Sequence, residues 1–448
     1  MDTLKQTAHQ AIQRAKRAGA SGADVLIRQD DTFSVNVRLG EVETLKESIS
    51  RGLLLRVFVG QRTATSHTSD LSPALVDRLV DETVEMARIT SEDKSGGLPD
   101  PALFSDTFPD LDLLDAGWET LTPDQRIDIA RRAEAAALAE DPAITNSEGG
   151  SFDYARSKTV VANTAGFVGA YEGTGAYIAV APIAQSKDGM QRDYWMSAAR
   201  HRRLMESPEE IGRKAAGRVV RRLGARKVAT CEVPVVFDPL TARSLVSHVF
   251  QAVAGDAIYR RSSFLVDQIG QVVASRGVTI VDNARLPSGL GSSPFDDEGI
   301  PTQTTGVIQE GVLEKYLQTS YTARKLNSRP TGNGSRVSSG SVMIGPTNFY
   351  LKAGAHSPED IIGSVKSGLY VVELIGQGVN QVSGDYSRGV VGLWIENGKL
   401  TYPVHEVTIA GNLREMLKDI EMVGSDVLFL GSIAAPTLKI RKMVISGE

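Results

Sequence analysis

A single cysteine, Cys231, stands in 448 residues. It has no partner for an intramolecular disulfide, and it excludes any metal or iron–sulfur centre built from several thiolates. Histidine is almost as scarce: His9, His67, His201, His248, His356 and His405. None has another histidine three or four residues away, so no helical pair is available for zinc. His405-Glu406 is followed by Val-Thr-Ile-Ala-Gly, with no second histidine. Ligands dispersed along the chain would leave no such pattern, and that route stays open. No run of about 18 apolar residues occurs, so no transmembrane helix is expected. The segment after Met1 is polar and lacks the apolar stretch of a secretory signal. A cytoplasmic protein is the expectation. The net charge of −5 gives no overall attraction to nucleic acid or anionic membrane.

The composition that remains is that of a folded protein, with 41% hydrophobic and 23% charged residues. The length calls for two or three domains. Forty-three glycines against 18 prolines point to many turns and much β-structure. The expected fold is α+β, with an N-terminal α/β layer region followed by a large, mostly antiparallel, β-rich C-terminal domain with a buried helix. The N-terminal region covers 1–225, with submodules at about 1–90 and 120–225 and a polar linking loop at about 91–118. The C-terminal domain covers 226–448.

In the first submodule, Leu4, Ala8, Ala11, Ile12 and Ala15 mark a helix over 3–18. Three strands follow, at Ala23–Gln29, around Phe33–Leu39, and at the nearly continuous apolar run Gly52–Gly60. Ser72-Pro73 opens a second helix, with a cap residue before a proline at its first position. Thr122-Pro123-Asp124-Gln125 and Ser207-Pro208-Glu209-Glu210 have the spacing of capping boxes and predict two more helices. Residues 151–200 read as short strands. In the C-terminal domain, Ser357-Pro358-Glu359-Asp360 predicts a further helix.

The stretch Asp238–Asp256 reads as a buried helix. Leu240, Ala242, Leu245, Val246, Val249, Phe250 and Val253 give it a wide apolar face, and Gly255 suits a left-handed exit. Ser247, His248 and Gln251 are the residues on it with chemistry to offer. Arg213, Lys214, Arg218, Arg221, Arg222, Arg226 and Lys227 form a basic stripe that nucleic acid could use. Glu209 and Glu210 at the start of that helix, with cations toward its end, fit an ordinary solvated helix better. The glycine clusters at 173–175, 332–334 and 376–378 have neither a P-loop lysine nor dinucleotide spacing. No Gly-x-Ser-x-Gly elbow is present.

Several blocks then follow one another in a fixed order. They are Gly22-Ala23-Asp24, Gly52-Leu53 with Arg56-Val57, Phe295-Asp296-Asp297-Glu298-Gly299, Thr331-Gly332-Asn333-Gly334, Ser383-Gly384-Asp385-Tyr386-Ser387, Ile409-Ala410-Gly411-Asn412 and Val423-Gly424-Ser425-Asp426. As an ordered set over nearly the whole chain they resemble the TldD/PmbA family. The resemblance implies a cytosolic zinc metalloprotease system acting on peptides, linked to microcin maturation and antitoxin degradation and once described as DNA gyrase modulators. In the TldD-type subunit a His-Glu-x-x-x-His helix and a C-terminal cysteine hold the zinc. Counting back from Gly255-Asp256 places those helix positions at Val246, Ser247 and Gln251. No cysteine occurs between Val427 and Ala435. Valine cannot ligate zinc, glutamine is a poor substitute for imidazole, and serine cannot serve as the carboxylate base.

The resemblance is therefore to the PmbA (TldE) type. It implies a non-catalytic subunit with no metal or catalytic residue of its own, zinc being carried by a TldD-type partner. A heterodimer is expected, or a homodimer in isolation, handling extended peptides with Gln251 and Asp385 as candidate contacts. Two alternatives stand beside it. One is a metallopeptidase in its own right, using His248 with distant carboxylates. The other is a nucleic-acid-associated regulator, which the net negative charge disfavours.

Overall fold

Residues 22–38 form one strand, β1 (Gly22–Arg38), whose alternation organises the N-terminal half. Its odd-numbered residues Val25, Ile27, Phe33, Val35 and Val37 are buried against helices. On the opposite face, Leu26 packs with Phe167 and Phe295, so the period of two sends one face to the helices and the other to the C-terminal half. The polar Asp30-Asp31-Thr32 reads as a break between two strands, yet in this computed structural model the ladder runs through it. Cross-strand partners make that possible: Ser157 Oγ donates to Asp30 at 2.5 Å, and the hydroxyls of Thr32 and Ser48 meet at 2.9 Å. The structure describes residues 1–187 and 189–447.

The other strands of this sheet are β2 (Glu41–Val59), β3 (Arg62–Thr68), β4 (Ile144–Asn163), β5 (Val168–Ser186), β6 (Gly189–Arg192) and β7 (Trp195–Ala199). The order is β3-β2-β1-β4-β5-β6, with β7 also on β5. Residues on both sides of the 91–118 stretch thus share one sheet. β4 and β5 run for 20 and 19 residues, where the sequence suggests short pieces. Helices α1 (Asp2–Arg17) and α2 (Pro73–Ile89) cover one end of the sheet, and α3 (Pro123–Glu140) and α4 (Pro208–Val220) the other. Both predicted capping boxes, Thr122/Gln125 and Ser207/Glu210, are formed. The 91–118 stretch is a packed strap rather than a free loop. Phe104 and Phe108 sit against Phe167 and Phe295. Arg324 donates to the carbonyls of Ser95, Gly97 and Leu98 at 2.7, 2.8 and 3.1 Å.

The C-terminal half begins with β8 (Cys231–Phe237), α5 (Pro239–Val253) and α6 (Gly255–Tyr259). It continues through β9 (Ile280–Asn283), β10 (Thr304–Gln309), β11 (Val312–Leu313), α7 (Ser320–Lys325), β12 (Gly334–Arg336), β13 (Val342–Ile344), β14 (Phe349–Leu351) and α8 (Pro358–Gly363). It ends with β15 (Ser367–Ile375), β16 (Asp385–Glu396), β17 (Lys399–Asn412), α9 (Leu413–Lys418), β18 (Ile420–Val423), β19 (Ile433–Ala434) and β20 (Leu438–Ser446). Strands β17-β16-β15-β8-β20 close into a barrel because β20 pairs back onto β17, and β18 extends it. A second sheet runs β11-β10-β9-β14-β19. Apart from the parallel pairs β8–β15 and β14–β19, the named strand pairs of this half are antiparallel, as the composition suggests. No helix among the described residues is long and apolar enough to cross a membrane.

Helix α5 lies between the barrel and the second sheet, and its apolar face belongs to the largest core. It stops at Val253, the last of its apolar positions and short of the expected end near Asp256, because Ala254 is extended. Gly255 then starts α6 instead of serving as a left-handed exit. Close approach explains the glycine: a Cβ there would lie 2.1 Å from Gln318 Oε1 and 2.9 Å from the Leu317 carbonyl.

Candidate functional site

Four of the blocks that carry the family resemblance, those at Asp24, Arg56, Asp296–Glu298 and Gly334, converge on a joint between the two halves. Asp24 on β1 and Arg56 on β2 pair at 2.5 Å, and Arg56 reaches Glu298 at 3.1 Å. Arg336 on β12 closes onto Asp24. Asp24 and Glu298 are fully buried. Glu298 also accepts the backbone N–H and the hydroxyl of Ser320, both at 2.8 Å. Burial works against the Asp24 carboxylate, but Arg336 and Arg56 outweigh it and hold its pKa below the usual range. Asp296 accepts the N–H groups of Gly334, Glu298 and Ile300 at 2.8, 2.9 and 3.0 Å, while burial and Glu298 push its pKa well up. These residues are occupied in holding the two halves together.

The basic stripe has a similar explanation, and it is neither a solvated face nor a free one throughout. Arg218 and Arg222 are buried. Arg218 pairs with Asp238 at 3.0 Å and Asp193 at 3.3 Å, and Arg222 with Glu373 at 2.6 Å. Arg226 stacks over Tyr402, 3.5 Å from the ring centre. Arg213, Lys214, Arg226 and Lys227 are exposed. The buried part of the stripe, Arg218 and Arg222, is an interdomain ion-pair network.

Beside that network lies a cavity of about 560 Å³. Helix α5 supplies one wall through Leu240, Thr241, Arg243, Ser244 and Ser247. The other walls come from Arg192–Tyr194 and Arg222 of the N-terminal half, Val372–Leu374 on β15, Arg388 on β16, and Gly431–Ile433 at the start of β19. Two segments to which the family resemblance assigns zinc residues, α5 and 427–435, therefore meet here. The donor set is wrong for a metal. Ser247 stands at the glutamate position, the cavity is lined by four guanidinium groups, and its two carboxylates, Asp193 and Glu373, are taken by Arg218 and Arg222. Among the described residues no group of three His, Cys, Asp or Glu is arranged to hold a metal.

Helical geometry separates the three motif positions. Ser247 and Gln251, four residues apart, share a face. Val246 falls outside it and is buried in the core. Ser247 lines the cavity and Gln251 is exposed, its Oε1 accepting from Gln381 at 3.3 Å. Asp385 lies outside the cavity lining, at the start of β16. It accepts from Ser383 at 2.6 Å and Asn412 at 3.1 Å, which fastens the loop before β16. His248 is buried beside Tyr386, their rings 6.2 Å apart, and its Nδ1 contacts Gln381 at 3.2 Å. Burial, with Arg388 adding to it, lowers its pKa from 6.5 to about 4, so it is neutral near pH 7. Sequence reasoning passed over Arg243. Its signal is a lone cation on an otherwise apolar helix, with Pro239, Leu240, Val246 and Ser247 three and four residues away and no acid among them.

Comparison with known proteins defines the class. Residues 23–87, 117–223 and 230–447 match domain 1, the central domain and the C-terminal domain of the PmbA/TldA metallopeptidases. The metalloprotease PmbA of Escherichia coli O157:H7 is 36% identical over 445 residues, covering 99% of this chain and 96% of that protein. The PmbA homolog of Haemophilus influenzae is 35% identical over the same shares. Among solved structures, TldE of Thermococcus kodakarensis superposes with a TM-score of 0.90 at 22% identity, covering 98% of this chain and all of that one, and shows the shared fold. The chain belongs to the PmbA/TldD metallopeptidase family.

Proposed function

We infer that this chain is the non-catalytic subunit of a PmbA/TldD-type metallopeptidase. It acts in the cytoplasm on peptides or unfolded polypeptides and carries no zinc of its own. Zinc and the catalytic carboxylate belong to a TldD-type partner, with which the chain forms a heterodimer, or a homodimer when the partner is absent. The observation that supports this is the furnishing of helix α5: Val246, Ser247 and Gln251 hold the motif positions, and the cavity that Ser247 lines carries Arg243 and Arg388 rather than metal ligands. Guanidinium groups do not ligate zinc, and their charge opposes a dication. The contribution of the chain is then to bind: an extended peptide can be held by main-chain hydrogen bonds without a particular side-chain motif. The test is to purify this chain, the TldD-type protein of the same genome, and their mixture. A stoichiometric complex with zinc only in the TldD-type subunit supports the reading. Zinc at one equivalent in this chain alone overturns it.

A second reading, that the chain is itself a metallopeptidase, draws on the name metalloprotease carried by its PmbA relatives. It requires ligands from outside the motif positions. The same metal analysis decides between the two.

A further inference from the structure

The α5 cavity is lined by four guanidinium groups and two carboxylates. Arg192 is paired with Glu148 at 2.7 Å, and Arg222 with Glu373 at 2.6 Å. Arg243 and Arg388 have no carboxylate among the described residues. Arg388 is only 8% exposed and makes one hydrogen bond among the described residues, from Nε to the Ile375 carbonyl at 3.3 Å. Arg243 is half-buried and makes no hydrogen bond among the described residues. Arg388 as a residue is more than nine-tenths buried without a carboxylate partner, and an arginine so placed ordinarily has one. The hydroxyls of Ser244 and Ser247 also point to an absent acceptor: both residues line the cavity, and neither hydroxyl has a hydrogen-bond partner among the described residues. Beside these donors stands an aliphatic wall of Leu240, Val372, Leu374 and Ile433.

We propose that this cavity binds the C-terminal carboxylate of a peptide whose last side chain is aliphatic. Arg243 and Arg388 clamp the carboxylate, the two serine hydroxyls donate to it, and the side chain lies against the apolar wall. Guanidinium forks match the planar, two-oxygen geometry of a carboxylate. The cavity volume fits one terminal residue and its neighbour rather than a folded partner. The choice of a peptide as ligand rests on the peptide-handling reading above.

The test uses the full chain without any partner subunit. Binding of two fluorescent N-labelled hexapeptides ending in leucine is measured by anisotropy, one as the free acid and one as the C-terminal amide. The acid binds, and the amide binds at least roughly tenfold more weakly, the loss of a charge-assisted contact. Arg243→Gln and Ser247→Glu each weaken the acid by a similar factor or more, with unchanged circular dichroism. Arg243→Lys, which keeps the charge but not the fork, restores part of the binding. Equal binding of acid and amide, or no binding of either at millimolar concentration, overturns the proposal. Displacement by inorganic phosphate with no effect of acetate also overturns it, in favour of a phosphate site. Because no cleavage or assembly is read, a negative result here leaves the partner-subunit reading standing, and failure of that reading leaves this binding measurable.

Discussion

Replacing Arg56 with methionine tests the joint between the two halves most sharply. Arg56 is 7% exposed and neutralises two fully buried carboxylates, Asp24 and Glu298. Removing one member of a buried ion pair costs roughly 3–5 kcal/mol, because the remaining charge stays buried. Here the orphaned groups keep some support. Asp24 retains Arg336, and Glu298 retains the N–H and hydroxyl of Ser320. The expected loss therefore lies at the lower end, about 3 kcal/mol. Urea unfolding reads it through the tryptophans, since Trp118 and Trp195 report on the N-terminal half and Trp394 on the barrel. With two cores the transition need not be two-state, so the comparison is of midpoints at matched slope. The sign with pH follows from Asp24. Its carboxyl is held below its unfolded value, so the stability it contributes is complete above the ordinary carboxylate pKa of about 3.9 and is lost as pH falls through the lower native value. In the variant that acid dependence flattens. A loss below about 1 kcal/mol, the size of an exposed pair, would refute the reasoning.

Arg218→Ala should cost about 3 kcal/mol by stranding Asp238 and leaving Asp193 to Arg222 alone, whereas exposed Arg213→Ala should stay within about 0.5 kcal/mol. Equal, small effects on thermal unfolding would return the stripe to the solvated face. Gly255→Ala should destabilise by about 1–3 kcal/mol, since its Cβ meets the Leu317 carbonyl as well as Gln318, and a neutral or stabilising result in the same assay would contradict the packing argument. His248, with its pKa lowered from 6.5 to about 4, contributes stability that is complete above about pH 6.5 and declines as pH falls toward 4. In His248→Gln the urea midpoint should lose that part of its slope, and an unchanged slope over this window would show that burial does not suppress its charge.

The helices were legible because their starts are local chemistry. Thr122-Pro123 and Ser207-Pro208, with acceptors three residues after each cap, need no tertiary context. The long strands were less so, because Asp30, Asp31 and Thr32 are satisfied by residues such as Ser157 and Ser48, invisible as partners until the sheet forms. The family blocks were legible as an ordered set, but not their duty, since Asp24 and Glu298 are 274 positions apart in the chain and meet through Arg56. The cavity was the least legible. It draws on six separate stretches from Arg192 to Ile433, and only the absence of zinc residues at Val246, Ser247 and Gln251 pointed toward it.

The central claim is that this chain handles peptide but does not cut it. Cleavage of an unfolded peptide by this chain alone, by the TldD-type subunit alone, and by the two together, each with and without a zinc chelator, tests that claim most directly. The account predicts no cleavage by this chain alone and chelator-sensitive cleavage by the mixture that exceeds the TldD-type subunit by itself. Zinc-dependent cleavage by this chain alone would contradict it.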